Sequence, residues 1–181
     1  MVNNTRLLTT LQKGGLIAYP TEAVYGLGCD PFNETAVMKI LTLKQRRLQQ
    51  GLILIASDWQ WIAPLIQPLP ANIERTVRAS WPGPMTWLIP ASPAAPPWII
   101  GEHTSIAVRI TQHPLARRIC EQWQNPLVST SANTSGQPPL TTAAQVIQCF
   151  GSAIDYVIEG EVGELTQPTS IVDALTNTQI R

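Results

Sequence analysis

Charge is scarce in this sequence. Only 13% of its 181 residues are Asp, Glu, Lys or Arg, about half the usual share, so solubility has to rest on Gln, Thr, Ser and Asn. The formal net charge is zero but unevenly spread: residues 1–118 hold 11 of the 12 Lys and Arg but 6 of the 12 acids, a net of +5, and residues 119–181 carry the balancing −5. A basic half suits an anionic ligand or nucleic acid, unless folding mixes the charges. Cysteine is equally sparse. Cys29, Cys120 and Cys149 are odd in number and far apart, which argues against a disulfide framework and against a zinc site. The two histidines, His103 and His113, have no Cys or carboxylate partner at metal-ligand spacing, so a histidine metal site is not expected. The longest apolar run is far short of a membrane span. The N-terminus is polar and shows no signal peptide, and a soluble, cytoplasmic protein is expected. Phosphate-loop (G-x-x-x-x-G-K-[ST]), dinucleotide (G-x-G-x-x-G) and nucleophile-elbow (G-x-S-x-G) patterns are all missing, as is the interleaving of basic and aromatic residues found in single-strand nucleic-acid grooves.

What remains is a regular alternation of helical and extended patterns. Asn3 or Asn4 can cap a helix with apolar positions Leu7, Leu8 and Leu11, ended by Gly14-Gly15. Residues 16–19 read as a short strand stopped by Pro20, followed by a polar turn over residues 26–31. Asn33 is a good N-cap, with Glu34 in the first turn of a helix running to Lys44. Residues 51–56 are continuously apolar, the mark of a strand buried on both faces. Residues 58–80 read as helical, broken around Pro64–Pro70, and Trp81-Pro82-Gly83-Pro84 as a rigid turn. A strand over 85–91 leads to a proline-rich surface loop at 92–103. In 105–110 the alternation sets Ile106, Val108 and Ile110 against Ala107 and Arg109. Helices are expected over 113–123 and 142–150, and strands over 126–130, 156–158, 169–173 and 179–181. The pattern predicts an α/β fold: a single domain over 1–181 with a twisted mixed sheet and flanking helices.

Three segments stand out as candidate sites. Lys44 and Arg46 end a helix. Cations there complement the helix dipole, or an ammonium and a forked guanidinium reach a polyphosphate. On either reading both are expected outside the core. Residues 129–136, Ser-Thr-Ser-Ala-Asn-Thr-Ser-Gly, follow a buried strand. They form a simple turn, or a loop whose hydroxyls, amides and N–H groups cradle phosphate at the carboxyl end of a sheet. Pro20-Thr21-Glu22 follows its own strand in the same way.

These segments, with others, make a recognisable set: Tyr19–Pro31 (YPTEAVYGLGCDP), K-x-R at Lys44–Arg46, WPGP-M-T at Trp81–Thr86, S-x-A-V-R at Ser105–Arg109, Pro126–Gly136 (PLVSTSANTSG) and a closing P-T-S-I-V-D-A-L before Arg181. In this order they resemble the YrdC/TsaC family, in its short bacterial form of threonylcarbamoyl-AMP synthase. The resemblance implies a YrdC-like sheet with a large concave, electropositive cavity. It implies a nucleotidyltransferase that makes L-threonylcarbamoyl-AMP and pyrophosphate from L-threonine, bicarbonate and ATP for t6A at adenosine 37 of tRNA. It implies ATP as substrate with Mg²⁺, no organic cofactor and no metal held by protein side chains. Implied partners are tRNA and the downstream t6A transferase complex, with no membrane. Carried over residue by residue, Lys44 and Arg46 are the candidate catalytic groups at the ATP phosphates. Ser131, Asn133, Thr86 and Arg181 fall on the nucleotide side, and Thr21, Arg109 and Ser129 on the threonine or carbamate side. The sequence departs from the family in having Arg47 where Pro is common, and it lacks near residues 53–57 the His that the long two-domain relatives often carry. The C-terminal domain of longer relatives is expected to be absent. The alternative reading is an RNA-binding protein, for tRNA or rRNA, that uses the same electropositive cavity.

Overall fold

The computed structural model describes residues 2–181. Seven α-helices and eight strands alternate along them: α1 (Asn4–Gln12), β1 (Ile17–Pro20), β2 (Tyr25–Gly28), α2 (Glu34–Lys44), β3 (Ile53–Ala56), α3 (Trp59–Ile62), α4 (Ala71–Ala79), β4 (Met85–Pro90), α5 (Pro97–Ile100), β5 (Ser105–Ile110), α6 (Pro114–Trp123), β6 (Leu127–Ser131), α7 (Ala143–Phe150), β7 (Tyr156–Val157) and β8 (Ser170–Asp173). The strands form one mixed sheet in the order β7-β1-β2-β6-β3-β5-β4-β8. The β1–β7, β3–β5 and β4–β8 pairs are parallel, and the other four are antiparallel.

Strand alternation divides the core in two. Ala18, Leu27, Leu54, Val108 and Val128 point to one face, where they join residues of α2, α4, α5 and α7. Ile17, Tyr19, Ile55 and Leu127 point to the other, where they meet Leu7 and Leu11 of α1 and Ile119 of α6. The second face is only partly covered: α1 and α6 sit over β1 and β3. Register then places Gly26 opposite Ser131, Ile53 opposite both Ala107 and Ser129, Ile55 opposite Arg109, and Leu88 opposite Asp173. Paired residues share a face, so all of these positions except Ile55, which the helices cover, line a concavity on the side that they leave open.

Several expectations hold in detail. Asn3 caps α1 through its side chain and Asn33 caps α2, accepting from the Ala36 N–H at 3.0 Å. The helix expected over 142–150 is α7, and its start carries a reciprocal capping box of Thr142 and Gln145 that was not anticipated. Three expectations change. The glycine-punctuated segment after Pro20 is not a turn over 26–31 but strand β2, paired on both sides. Its glycines answer close approaches: a Cβ at Gly28 would lie 2.6 Å from the Val128 carbonyl oxygen. The proline-rich segment is not wholly a surface loop, since Pro97 starts α5 and Ile99 is fully buried. Residues 179–181 form only a bridge, Val172 with Gln179. The Asp173 carboxylate accepts from the Leu175 and Thr176 N–H groups, both at 2.9 Å, and so reverses the chain. The reversal returns Arg181 to the sheet edge, where its N–H faces the Ile171 carbonyl at 3.3 Å. Among the described residues no helix is long and apolar enough to cross a membrane.

Candidate active site

The open face holds a cavity of about 770 Å³, lined by Thr21 and Gly26 before and in β2, Arg109 of β5, Ser129 and Ser131 of β6, and Arg46 and Arg181 from the rim. Gly26 keeps its floor clear, because a Cβ there would stand 3.1 Å from Thr21 Cγ2. Six of the nine residues singled out from sequence therefore meet in one cavity. Lys44, Thr86 and Asn133 are not among its lining residues.

Lys44 departs from expectation most. It is 3% exposed, not at a solvated helix end, and its ammonium is turned to the β6 loop. Nζ donates to the Ser131 carbonyl, to the Asn133 carbonyl at 2.8 Å and to Asn133 Oδ1 at 3.0 Å. All three donors are thereby used. Burial, and secondarily Arg46, lower its pKa from 10.5 to about 8. Asn133 Oδ1 also accepts from the Ser131 hydroxyl at 2.6 Å, and Asn133 Nδ2 donates to the Gln137 carbonyl at 2.7 Å. Lys44 and Asn133 thus knot the loop from below and leave Ser131 at the cavity wall.

The end of α2 explains how Arg46 is aimed. Gln45 adopts the left-handed region at φ 51°. The Gln45 N–H donates to the Thr42 carbonyl at 3.0 Å and the Arg46 N–H to the Leu41 carbonyl at 2.9 Å. This is a Schellman closure with glutamine where glycine is usual. It turns Arg46 away from the helix axis. Its Nη2 donates to the Gly51 carbonyl at 3.0 Å, while its Nε is buried with no partner among the described residues. Burial and then Arg181 lower the Arg46 pKa, and burial and then Arg109 lower that of Arg181. Three guanidiniums therefore feel one another across the cavity.

Arg109, 4% exposed, is the most enclosed of them. Its Nη1 donates to Thr86 Oγ1 at 3.0 Å and Thr169 Oγ1 at 2.8 Å, and its Nη2 to Glu22 Oε2 at 3.2 Å. Thr86, fully buried, reaches the cavity only through this contact. The other oxygen of Glu22 accepts from Thr111 Oγ1 at 2.6 Å and from the Gln112 N–H at 3.3 Å. Burial pushes the Glu22 carboxyl up, but Arg109, then Thr111 and backbone N–H donors, outweigh it and hold it below its usual value. Glu22 and Thr111 were missed as members of the site. Glu22 lies within the Pro-Thr-Glu segment, but its partner is 87 residues away, a pairing no local pattern announces. The segment after β7 closes this end: the Gly163 N–H donates to the Thr21 carbonyl at 2.9 Å and the Leu165 N–H to the Glu22 carbonyl at 3.2 Å. His113, the N-cap of α6, joins it through Nε2 and the Glu161 carbonyl, 3.1 Å apart. Among the described residues no group of three or more His, Cys, Asp or Glu could hold a metal.

The arrangement offers two anion subsites joined by an apolar wall. One is dry, with Arg109 fixed by Glu22 and two threonines; the other lies at the rim, with Arg46, Arg181 and the Ser131 loop. A family model for the Sua5/YciO/YrdC domain, described as telomere recombination, matches residues 9–181. A protein of Coxiella burnetii (strain RSA 493) named threonylcarbamoyl-AMP synthase is 49% identical over 171 residues, covering 94% of this chain and 92% of its own. Among solved structures, a double-substituted Sua5 of P. abyssi superposes with a TM-score of 0.92 at 29% identity, over 99% of this chain and 57% of that one. Sua5 of P. abyssi complexed with L-threonine gives a TM-score of 0.88 at 30% identity, over 96% of this chain and 52% of that one. The chain thus spans little more than half the length of Sua5.

Proposed function

Because the chain belongs to the Sua5/YciO/YrdC family, we propose that it is a threonylcarbamoyl-AMP synthase, making L-threonylcarbamoyl-AMP and pyrophosphate from L-threonine, bicarbonate and ATP. The observation that carries the reading is the joint occurrence of near-complete alignment to a synthase of that name with one cavity holding three arginines. The product serves the t6A modification of tRNA. The RNA-binding alternative is not favoured, since relatives 49% identical to this chain carry the name of an enzyme.

Two steps are needed. The threonine amine and bicarbonate condense to a carbamate with loss of water. A carbamate oxygen then attacks the α-phosphorus of ATP, and the bond to the β-phosphate oxygen breaks to release pyrophosphate. Such chemistry is driven mainly by positioning and by stabilising developing negative charge. Arg109 holds the threonine carboxylate or the carbamate, with Thr21 and Ser129 beside it. Arg46 and Arg181 face the triphosphate. Ser131 meets the nucleotide from the loop that Lys44 and Asn133 fix, and Thr86 acts through Arg109. Mg²⁺ comes with the ATP phosphates, where it neutralises charge; the scattered carboxylates fit a nucleotide-borne ion better than a protein-held one. Glu22 is buried and held by three donors, which places it behind Arg109 as a partner of the guanidinium rather than as a general base.

The test is pyrophosphate release from ATP by the purified chain. Release is expected only when threonine and bicarbonate are both present. Equal release with serine in place of threonine, or in bicarbonate-free buffer, refutes the substrate assignment.

A further inference from the structure

A carboxylate buried directly behind the wall of a cavity rich in arginine needs a reason. Glu22 is 3% exposed and lies 3.2 Å from the guanidinium that is to hold an anion. Electrostatics alone makes it a handicap, because a fixed negative charge at that distance weakens the pull of Arg109 on any other anion.

We propose that Glu22 is a positioning residue: with Thr86 and Thr169 it locks the Arg109 guanidinium in the one orientation from which it meets the carboxylate of the amino-acid substrate. The proposal rests on the synthase reading and assigns the dry end of the cavity to the amino acid.

Donor counting supports it. A guanidinium has five N–H donors. Two on Nη1 go to Thr86 and Thr169, and one on Nη2 goes to Glu22. Two remain. One of them is on Nε, which is buried and has no partner among the described residues. Arg109 as a whole lines the cavity with donors to spare, and a guanidinium with free N–H groups suits a carboxylate. Glu22 is itself held from two sides, by the Thr111 hydroxyl and the Gln112 N–H. It cannot follow Arg109 into another rotamer. The gain is preorganisation: an arginine loses substantial side-chain entropy when a ligand freezes it, and here that loss is incurred on folding. Arg181 adds a second reason. The charge of Arg109 is felt by Arg181, whose pKa burial and then Arg109 lower, and the carboxylate of Glu22 offsets that charge.

Charge and orientation predict opposite signs, which makes the idea testable. The full chain is assayed as wild type, Glu22→Gln, Arg109→Lys and the double substitution, following pyrophosphate release against threonine and against ATP, with thermal midpoints recorded alongside. Glu22→Gln is expected to raise the threonine KM about tenfold, the scale of one charged hydrogen bond, with the ATP KM within about twofold. The double substitution should be no worse than the poorer single one, because both act through the same guanidinium. A threonine KM that falls or stays put in Glu22→Gln overturns the proposal. So does a multiplicative double, or a parallel rise in both KM values that signals general loosening. If Glu22→Gln does not fold, Thr111→Val removes one anchor of Glu22 and keeps its charge; its threonine KM should rise clearly, and an unchanged value is equally fatal. A wild type that ignores threonine removes the synthase reading and this inference together. A threonine-dependent wild type with an indifferent Glu22→Gln removes the inference alone.

Discussion

Replacing Lys44 by methionine separates two roles that a lysine in a K-x-R segment can have. Methionine keeps much of the stem and loses the ammonium. If Lys44 is a phosphate ligand, the folded chain should scarcely notice and catalysis should fall. The geometry says otherwise, since all three donors are spent on Ser131 and Asn133. A hydrogen bond to a charged group is worth about 1.5–3 kcal/mol net. Three cannot simply be added, because keeping an ammonium out of water offsets part of the gain, as the pKa of about 8 records. A net loss of about 2–3 kcal/mol is a fair allowance for stranding three acceptors beneath the loop. For a chain of this length each kcal/mol moves the melting midpoint by roughly 2–4 °C, so Lys44→Met should melt roughly 4–12 °C below wild type. The ATP KM should rise more than the threonine KM, because the loosened loop carries Ser131.

The pH dependence sharpens the test. The folded pKa of Lys44 lies below its unfolded value of 10.5, so between about pH 8 and that value the unfolded chain binds more protons. Stability from this group therefore rises with pH across that window. Loop fixation moves the other way, since a neutral amine has two N–H donors for three acceptors. Wild type should thus show an ATP KM that climbs above about pH 8 while its melting midpoint does not fall on this group's account, and Lys44→Met should lack the climb. Differential scanning calorimetry and steady-state kinetics over pH 7–9.5 read both. An unchanged midpoint with activity alone lost would refute the clamp and show that Lys44 leaves the loop for the phosphates.

Arg46→Ala should cut pyrophosphate release at least ~100-fold, the scale of losing one electrostatic donor, measured at saturating threonine; a rate near wild type would reduce Arg46 to its Gly51 contact. Asn133→Ala should weaken ATP binding more than threonine binding in calorimetric titrations, because it unties the Ser131 loop and leaves the Arg109 end intact. His113 is held neutral, its pKa lowered first by burial, so stability should fall as the pH drops below about 6.5, where the unfolded chain takes up the proton first. His113→Asn keeps an N-cap acceptor and should flatten that slope in melting curves between pH 5 and 7.

How far the sequence could be read depends on whether the signal is local. Caps are local, and Asn3 and Asn33 were legible because the acceptor lies within three residues of its donor. The alternation in β5 was legible for the same reason, and it put Arg109 on the face opposite Ile106 and Val108, where the cavity opens. Strand β2 was misread because two glycines in four residues look like a turn, when their real cause is the Val128 carbonyl and the Tyr19 ring arriving from elsewhere in the chain. Lys44 was misjudged in the same way. A helix-end lysine is usually solvated, and only the return of β6 beside α2 buries it. Glu22 with Arg109 is the extreme case, a contact between the loop joining β1 to β2 and strand β5, three places from β2 in the sheet.

The two ends of the cavity differ in how their cations are tolerated, and that difference is informative about what each end binds. Arg109 is cut off from water, so its charge must be met inside the protein, and Glu22 meets it. Arg46 and Arg181 keep water at one side; solvent screens them, and no carboxylate lies within ion-pair distance of either among the described residues. A compensated, immobile arginine has little net attraction at long range but a fixed direction at short range, which suits a small zwitterion whose amine must be set in place before reaction. Two uncompensated arginines that repel each other have the reverse character. They attract a polyanion from a distance, and binding one relieves their mutual repulsion. A cavity meant for a single multiply charged ligand would gain nothing from a carboxylate at its dry end. The placement of Glu22 therefore argues for two chemically different substrates, brought together across the apolar floor of β3 and β5.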